Sequence, residues 1–440
     1  MKYSRFTFSN SIFKYTIIAM VVGMSSCNSH VSGNNSPTSP KEEKIITADE
    51  RYKDVLITTN NNEPVPAAYL LNEWIIKLKG KKVALVGNQT SVVRTGDTIV
   101  SKEWKSKDKL RYTHLVDTLL AHGIDIKRVF APEHGFRGTA DAGATIKDGI
   151  DAKTGIPIIS LYGKNKKPFK EQLEDVDIIL FDIQDVGARF YTYISTLHYV
   201  MEACAQYNKK IIVLDRPNPN GHYIDGPILE EEHQSFVGMH PVPVVHGMTI
   251  GEYAQMINGE KWLDNDLQAN LEIIKCKNYT HDSSYSIPIK PSPNLPNDQS
   301  INLYPSLCFF EGADVSVGRG TEMQFQVYGS PSLVKYTDFE FTPTPNIGAK
   351  RPLFNGKKCY GVDLRNHEKL DHIELEFLVD AFAKAPYKSK FFNSFFTKLA
   401  GTKTLQAQIE KGMSAQEIAA TWEKGLEEYQ KLRGKYLLYK

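Results

Sequence analysis

The stretch Arg128-Val129-Phe130-Ala131-Pro132-Glu133-His134-Gly135-Phe136-Arg137-Gly138 decides how the chain is interpreted. Its apolar run, Val129 to Ala131, predicts a buried strand that ends at Pro132. Glu133 and His134 follow where the chain leaves the strand, and both side chains can transfer protons. The glycine after them lets the backbone turn tightly and approach a ligand. Taken alone, the segment fits either a functional site or a strand exit whose polar groups satisfy backbone donors.

Strands and helices alternate on both sides of this stretch. The predicted strands are Val83–Val86, Arg128–Ala131, Ile156–Leu161, Asp177–Phe181 and Lys210–Leu214, and helical patterns such as 114–120 and 191–207 separate them. Continuously apolar strands alternating with helices predict an α/β fold, a Rossmann-like parallel sheet covered by helices on both faces. Ligands bind beyond the carboxyl ends of such strands.

Polar residues follow all five predicted strands. They are Asn88, Gln89, Glu133, His134, Tyr162, Asp182, Asp185, Asp215 and Arg216. Because the carboxyl ends of parallel strands meet at one edge of the sheet, these side chains are expected near one another. Five strand ends of this kind favour the functional interpretation of Glu133 over the structural one.

A chain of 440 residues is long enough for two domains. The pattern predicts a Rossmann-like catalytic domain over residues 51–230 and a smaller α+β C-terminal auxiliary domain over 231–440 that contributes to the cleft. Further elements are predicted in order: a helix near 69–75, a short helix over 168–176, a helix capped by Thr249 and Glu252, a strand at 271–276, and a single final helix from Ser414 to about Leu432.

The N-terminus has the pattern of a targeting sequence. Basic residues precede a short apolar run at 17–22, which is too short to span a bilayer, and small residues then lead to Cys27. This pattern resembles a lipoprotein-type signal peptide over residues 1–27, with Cys27 as the lipidated residue and 28–50 as a flexible tether; an ordinary secretory peptide cleaved nearby is the alternative. The expectation is an exported, membrane-anchored lipoprotein, periplasmic or associated with the outer membrane, that is attached by its lipid alone.

Several classes of function lack their sequence signatures. A net charge of +2 gives no broad basic surface for nucleic acid. No H-E-x-x-H and no paired C-x-x-C occurs, so no metal is expected, and the missing G-x-G-x-x-G and Walker A loops leave nucleotide binding weakly supported. No G-x-S-x-G occurs to supply a serine nucleophile. The remaining cysteines, Cys204, Cys276, Cys308 and Cys359, leave one or two disulfides open.

Carboxylates alone suffice for glycoside cleavage. One acid protonates the leaving oxygen, and a second group or the substrate's own acetamido group assists at the anomeric carbon. The acids and the surrounding Asn, Arg, Tyr and His residues therefore favour a glycosidase that needs no cofactor.

Six motifs resemble those of the NamZ-type exo-β-N-acetylmuramidases. In order they are Pro132-Glu133-His134-Gly135-Phe136-Arg137-Gly138, Phe181-Asp182-Ile183-Gln184-Asp185-Val186-Gly187-Ala188-Arg189-Phe190-Tyr191-Thr192-Tyr193, Leu214-Asp215-Arg216-Pro217-Asn218-Pro219, His246-Gly247-Met248-Thr249, Pro291-Ser292-Pro293-Asn294 and Gly318-Arg319-Gly320-Thr321. The resemblance covers residue 81 to the C-terminus. It implies a cleft between a Rossmann-like domain and a smaller C-terminal domain, and removal of terminal N-acetylmuramic acid from the non-reducing end of peptidoglycan fragments.

The resemblance implies roles for individual residues. Glu133 is the candidate general acid/base, and Asp182 or Asp185 is the candidate to orient the 2-acetamido group. The candidate substrate-binding residues are His134, Arg137, Arg189, Tyr191, Arg216, His246, Asn294, Glu311 and Arg319. Of these, Arg189, Arg216 and Arg319 are the candidates to pair with the lactyl carboxylate. Residues 313–317 depart from the commoner family pattern, which leaves the detailed role of that loop open.

A second class of function fits the same sequence. A non-catalytic lipoprotein could bind peptidoglycan fragments through this cleft, and Glu133→Gln separates the two hypotheses, because only an enzyme has turnover to lose. The sequence leaves the oligomeric state, the stereochemical outcome and the tolerance for peptide stems open.

Overall fold

The computed structural model describes residues 62–94, 112–137 and 148–439. The predicted signal peptide, Cys27 and the tether lie outside these residues, as does Gly138. Within the described ranges, no helix is both long and apolar enough to cross a membrane.

The described residues form twelve strands and ten α-helices. The strands are β1 Lys82–Gly87, β2 Val92–Arg94, β3 Tyr112–His114, β4 Asp125–Ala131, β5 Gly149–Ile150, β6 Pro157–Ser160, β7 Ile178–Asp182, β8 Lys210–Leu214, β9 Asn270–Ile274, β10 Val327–Ser330, β11 Glu340–Phe341 and β12 Cys359–Asp363. The helices are α1 Leu71–Trp74, α2 Leu115–Ala121, α3 Tyr193–Gln206, α4 Ile250–Gly259, α5 Asp298–Leu307, α6 Glu376–Lys384, α7 Phe396–Ala400, α8 Thr404–Glu410, α9 Ala415–Ala420 and α10 Glu423–Arg433.

A seven-stranded sheet in the order β5-β6-β4-β1-β7-β8-β9 organises the larger part of the chain. Every neighbouring pair is parallel except β5 with β6. Alternate residues of a strand enter different hydrophobic cores: Val83 and Leu85 pack on one face of the sheet, whereas Ala84 and Val86 pack on the other. Burial on both faces explains why the strands are apolar throughout, and it confirms the predicted α/β class.

The C-terminal part is smaller and contains an antiparallel sheet. Its strands lie in the order β10-β12-β11, and helices α5 to α10 pack around them. The predicted boundary at residue 230 falls too early for the sheet, because β9 pairs with β8 in parallel and extends the sheet layer to residue 274.

Three predicted helices differ from the structure. The pattern near 69–75 gives α1 flanked by 3-10 turns at Ala67–Tyr69 and Ile75–Leu78, and residues 168–176 give a single 3-10 turn at Lys170–Gln172. The final helix is two helices, α9 and α10, although the predicted capping box of Ser414 and Glu417 is present. Trp422 is buried at the break between them, so packing of its indole ring in the core accompanies the interruption.

Two buried carboxylates join the sheet to the end of the chain. Asp215, directly after β8, accepts hydrogen bonds from Thr249 Oγ1 (2.7 Å) and from Tyr439 Oη (2.6 Å). Glu252 on α4 accepts one from the amide of Leu438 at 2.8 Å. Burial raises the pKa of Asp215 to about 6. We call Asp215, Glu252 and Tyr439 the terminal clasp.

The four described cysteines, Cys204, Cys276, Cys308 and Cys359, are buried free thiols. None of them forms a disulfide, because the fold places each thiol in a separate position of the interior.

Candidate active site

A cavity of about 270 Å³ lies beyond the carboxyl ends of the central strands. Glu133 and His134 reach it from the end of β4, Tyr162 from the end of β6, and Tyr191 and Thr192 from the segment between β7 and α3. The opposite wall comes from residues 292–325, so both parts of the chain build the cavity. The volume is close to the lower end of the roughly 300–1,000 Å³ of ligand pockets, which suits a single sugar unit.

Glu133 is held at the cavity wall by its neighbours. Thr192 Oγ1 donates a hydrogen bond to Glu133 Oε2 at 2.8 Å. Thr192 is the N-cap residue of the fourteen-residue helix α3, where the helix dipole favours a negative charge. Burial, together with the nearby Glu133 carboxylate, raises the pKa of the Tyr162 hydroxyl, so this hydroxyl keeps its proton and can donate.

The loop after β4 is fixed on both sides of Glu133. The amide of Gly135 donates to Pro132 O at 3.1 Å to close a tight turn. Phe136 is buried against the ring of His114, and their centroids are 4.6 Å apart. His134 has a φ of 69°, a left-handed conformation that is rare for residues other than glycine. Backbone strain of this kind concentrates at functional sites.

Arg137 anchors this loop outside the cavity. Its Nε and Nη2 donate to Asp151 Oδ1 and Oδ2 at 2.8 Å and 2.7 Å. This bidentate bond lowers the pKa of Asp151 to about 2. Arg137 is not among the residues that line the cavity, and its contact with substrate stays a prediction.

Arg319 and Glu311 form an ion pair on the far wall. Arg319 Nη1 donates to Glu311 Oε1 at 2.7 Å, and each side chain is 26% exposed. Both residues line the cavity together with Glu133. The pair brings a planar guanidinium to the cavity, and this group matches a carboxylate in geometry and charge.

Asn294 and Tyr191 complete the predicted residues that line the cavity. Asn294 is only 2% exposed and comes from the rigid Pro291–Pro296 loop, whereas Tyr191 is buried next to Tyr193 in an edge-to-face contact. The structure thus brings together Glu133, His134, Tyr191, Asn294, Glu311 and Arg319.

Asp182 and Arg216 were expected at the site, but they form a buried ion pair beside it. Arg216 Nε donates to Asp182 Oδ1 at 2.6 Å, and Nη2 donates to Oδ2 at 2.9 Å. Asp182 is fully buried and Arg216 is 2% exposed, and neither lines the cavity. Each charge is satisfied by the other, so the geometry gives the pair a structural role instead of a catalytic one.

Arg189 also has a structural role in place of the predicted substrate contact. Its guanidinium is fully buried and donates to four backbone carbonyls, those of Pro227, Val242, Leu399 and Ala400, at 2.7–3.0 Å. The carbonyls of Leu399 and Ala400 lie 210 and 211 residues after Arg189 in the chain, so Arg189 joins the two parts of the chain.

Asp185 and His246 lie next to each other in the interior and do not line the cavity. Asp185 Oδ2 accepts a hydrogen bond from the amide of Gly187 at 2.7 Å, and His246 Nε2 is 3.8 Å from the same oxygen. Both side chains are buried, and neither is among the residues that line the cavity. The role of Asp185 in orienting the acetamido group stays a prediction.

Several cavity residues were missed by the sequence reasoning. They are Thr192, Phe190, Phe236, Val237, Ser292, Leu295, Tyr304, Phe325 and Phe395. Thr192 lies inside one of the six motifs. Its position at the start of a predicted helix was the signal that could have identified it as an N-cap residue at the cavity. Phe236 and Phe395 follow no strand and no motif, so nothing in the sequence pattern pointed to them.

One group of possible metal ligands occurs among the described residues, and it lies outside the cavity. It consists of Glu230, Glu232 and His233, whose ligand atoms lie within 4.8 Å of one another. Both glutamates are exposed. The two described acids that line the cavity, Glu133 and Glu311, are bonded to Thr192 and Arg319.

Family models for the exo-β-N-acetylmuramidase NamZ match nearly all described residues. The N-terminal model matches residues 83–299 and the C-terminal model matches residues 302–439. The chain belongs to the NamZ exo-β-N-acetylmuramidase family. The resemblance seen in its six motifs is thereby confirmed, and the N-terminal family model includes β9, the last strand of the seven-stranded sheet.

A curated member of the NamZ family and two solved structures are similar to this chain. The peptidoglycan β-N-acetylmuramidase NamZ of Bacillus subtilis (strain 168) is 38% identical over 391 residues, which is 84% of this chain and 90% of that protein. A crystal structure of a DUF1343 family protein from Bacteroides fragilis is 43% identical with a TM-score of 0.76, covering 86% of this chain and 99% of its own. A second one from the same organism is 28% identical with a TM-score of 0.70, covering 86% and 100%.

Proposed function

We propose that the protein is an exo-acting glycosidase that releases terminal N-acetylmuramic acid from the non-reducing end of peptidoglycan fragments, with Glu133 as general acid/base. Membership of the NamZ family makes it a peptidoglycan muramidase and hence a glycoside hydrolase. The observation that carries the finer proposal is the position of Glu133, which faces a cavity of single-sugar size across from Arg319.

Glu133 has the surroundings that the acid/base role needs. In the first step the protonated carboxyl would give its proton to the leaving glycosidic oxygen, and in the second step the carboxylate would take a proton from water. The hydrogen bond from Thr192 keeps the carboxyl in one orientation throughout.

Arg319 is the proposed receptor for the lactyl carboxylate. Arg319 lines the cavity, and its guanidinium presents N–H donors in a planar fork that matches a carboxylate. Of the arginines considered from the sequence, Arg189 and Arg216 are committed to buried partners, which leaves Arg319 at the cavity.

The second catalytic element is proposed to be the 2-acetamido group of the substrate. Of the described carboxylates, Glu133 and Glu311 line the cavity, and Glu311 is paired with Arg319. Asp182 neutralises Arg216, and Asp185 is not among the residues that line the cavity. A nucleophile supplied by the substrate fits this arrangement without a second carboxylate.

The test compares wild type with Glu133→Gln on a muramic-acid-terminated disaccharide and on a chromogenic muramide. Glutamine keeps the size of the side chain and an acceptor for Thr192 but cannot donate a proton as an acid. We expect turnover to fall by about 10²–10⁴-fold while the substrate still binds. The exposed Glu171→Gln is the matched control for loss of one carboxylate and should keep wild-type turnover.

Two outcomes would overturn this function. If wild type released no sugar from either substrate yet bound both, the protein would be a binding module, the alternative from the sequence. If Glu133→Gln kept its turnover, another residue would have to supply the proton.

We also propose that Cys27 carries a lipid that anchors the exported protein. The support is the basic, apolar and small-residue pattern that precedes it. Cys27→Ser should stop the incorporation of labelled fatty acid and move the protein from the membrane fraction to the soluble one. An unchanged membrane fraction would contradict this anchor.

A further inference from the structure

The side chain of Asn294 carries a buried acceptor that has no partner in the described part of the chain. Its Nδ2 donates to Gly348 O at 2.7 Å. Because a carbonyl can only accept, this bond identifies the nitrogen and the oxygen of the side-chain amide. Oδ1 then remains buried without a hydrogen bond, although Asn294 is only 2% exposed and lines the cavity with Glu133. Buried polar atoms are nearly always hydrogen-bonded, so this oxygen indicates a missing donor.

The loop that carries Asn294 is held on three sides. Gln89 Nε2 donates to the carbonyls of Lys290 and Pro291 at 3.1 Å each, and Tyr193 Oη donates to Pro291 O at 3.1 Å. The amide of Asn294 itself donates to Ser292 Oγ at 3.2 Å. These bonds hold Asn294 in one orientation at the cavity wall.

Apolar side chains line the same cavity as Asn294. Leu295 follows Asn294 directly, is 1% exposed and also lines the cavity. Val237 and Phe325 add further apolar wall. A ligand group that fits here would combine an N–H donor with a small apolar end.

We propose that Asn294 Oδ1 accepts a hydrogen bond from the N–H of the 2-acetamido group of the bound sugar, whose methyl packs on the apolar wall beside Leu295. This inference rests on the proposed function and names the residue that makes the site specific for an N-acetylated sugar. The lactyl carboxylate offers no donor and would be repelled by Oδ1. A hydroxyl can donate, but it has no apolar end to occupy the adjoining wall.

The test uses two ligands that differ only in the donor. One is N-acetylmuramic acid, and the other is its analogue in which an ester oxygen replaces the amide nitrogen, so the N–H is lost but the carbonyl and methyl stay. Both are titrated calorimetrically onto the full chain and onto Asn294→Ala. Wild type should bind the amide roughly 10- to 100-fold more tightly, because the ester leaves Oδ1 unpaired and places a lone pair against it.

In Asn294→Ala the preference for the amide should shrink to within about threefold, because the acceptor is gone. Equal binding of amide and ester by wild type would overturn the inference and would assign Oδ1 to a hydroxyl. The wild-type comparison does not depend on how well the variant folds.

A preference that survives in Asn294→Ala would likewise overturn the inference, because another acceptor would then read the N–H. The result is separable from the proposed function, since sugar release by wild type is measured on its own. Normal release with no amide preference would contradict Asn294 alone, whereas no release and no binding would contradict both.

Discussion

Asp182→Asn should destabilise the protein by about 3–5 kcal/mol and leave the catalytic rate of the folded molecules nearly unchanged. The variant keeps the shape of the side chain but removes the charge that Arg216 requires. Two hydrogen bonds, at 2.6 Å and 2.9 Å, join the two side chains, and both are at most 2% exposed. Removal of one partner of a buried pair leaves an uncompensated charge, which costs about this much.

The assay pairs a urea denaturation curve with kcat/KM measured per folded molecule. Wild type and Glu133→Gln serve as the two reference proteins. Glu133→Gln should change turnover with little change in the midpoint of the urea unfolding curve. The double variant Asp182→Asn with Arg216→Met should recover much of the lost free energy of unfolding, since it also removes the unpaired cation.

One result would refute the reasoning. The free energy of unfolding of Asp182→Asn could lie within about 1 kcal/mol of the wild-type value while turnover falls by more than about 100-fold. Asp182 would then act in the chemistry, as the sequence first predicted. The buried ion pair would then be a poor description of how Asp182 is used.

Three further predictions follow from side chains already described. Thr192→Val should lower kcat/KM by about tenfold, because Glu133 loses the 2.8 Å hydrogen bond that orients its carboxyl group. Arg189→Met should lower the free energy of unfolding by more than about 4 kcal/mol in a denaturation curve, because four buried carbonyls lose their donor. Burial lowers the pKa of His114 to about 4, so the unfolded chain binds a proton at this histidine before the folded protein does. The free energy of unfolding should therefore fall by about 1.4 kcal/mol per pH unit from His114 alone as the pH drops from about 6.5 toward 4.

Each of these predictions has a control. Thr192→Ser keeps the hydroxyl and should keep the wild-type kcat/KM, so an equal loss of kcat/KM in both variants would point to packing. Arg189→Lys supplies one nitrogen where two are used and should rescue little. In His114→Asn, the free energy of unfolding should depend less steeply on pH, by the contribution of about one proton, because asparagine does not titrate. Asparagine can still cap α2, as His114 Nδ1 does by accepting a hydrogen bond from Val116 N at 3.3 Å. An unchanged slope would exclude His114.

The sheet and the position of Glu133 could be predicted because each depends on local sequence. Strands buried on both faces have to be apolar throughout, and a strand followed directly by Glu133 has to present that residue at the carboxyl edge. Asn294 and Arg319 were found through motifs, since proline and glycine restrict the backbone around them.

The direction in which a polar side chain points after its strand could not be predicted. Glu133 and Asp182 both follow apolar strands at the same edge, yet Glu133 faces the cavity and Asp182 turns to Arg216. The choice depends on which partner lies across the edge, and Arg216 comes from a strand 34 residues later. The partners of Arg189 could not be predicted for the same reason. They include the carbonyls of Leu399 and Ala400, which lie 210 and 211 positions further along the chain.

The terminal clasp has a consequence for how the protein is made. Asp215 leaves the ribosome 224 residues before Tyr439, whose hydroxyl it binds. Until Tyr439 has been made, the buried carboxylate at the end of β8 lacks one of its donors, so the central sheet lacks a contact on which its final stability depends. A substitution that removes the Tyr439 hydroxyl should therefore lower the folding yield more than it alters the cavity.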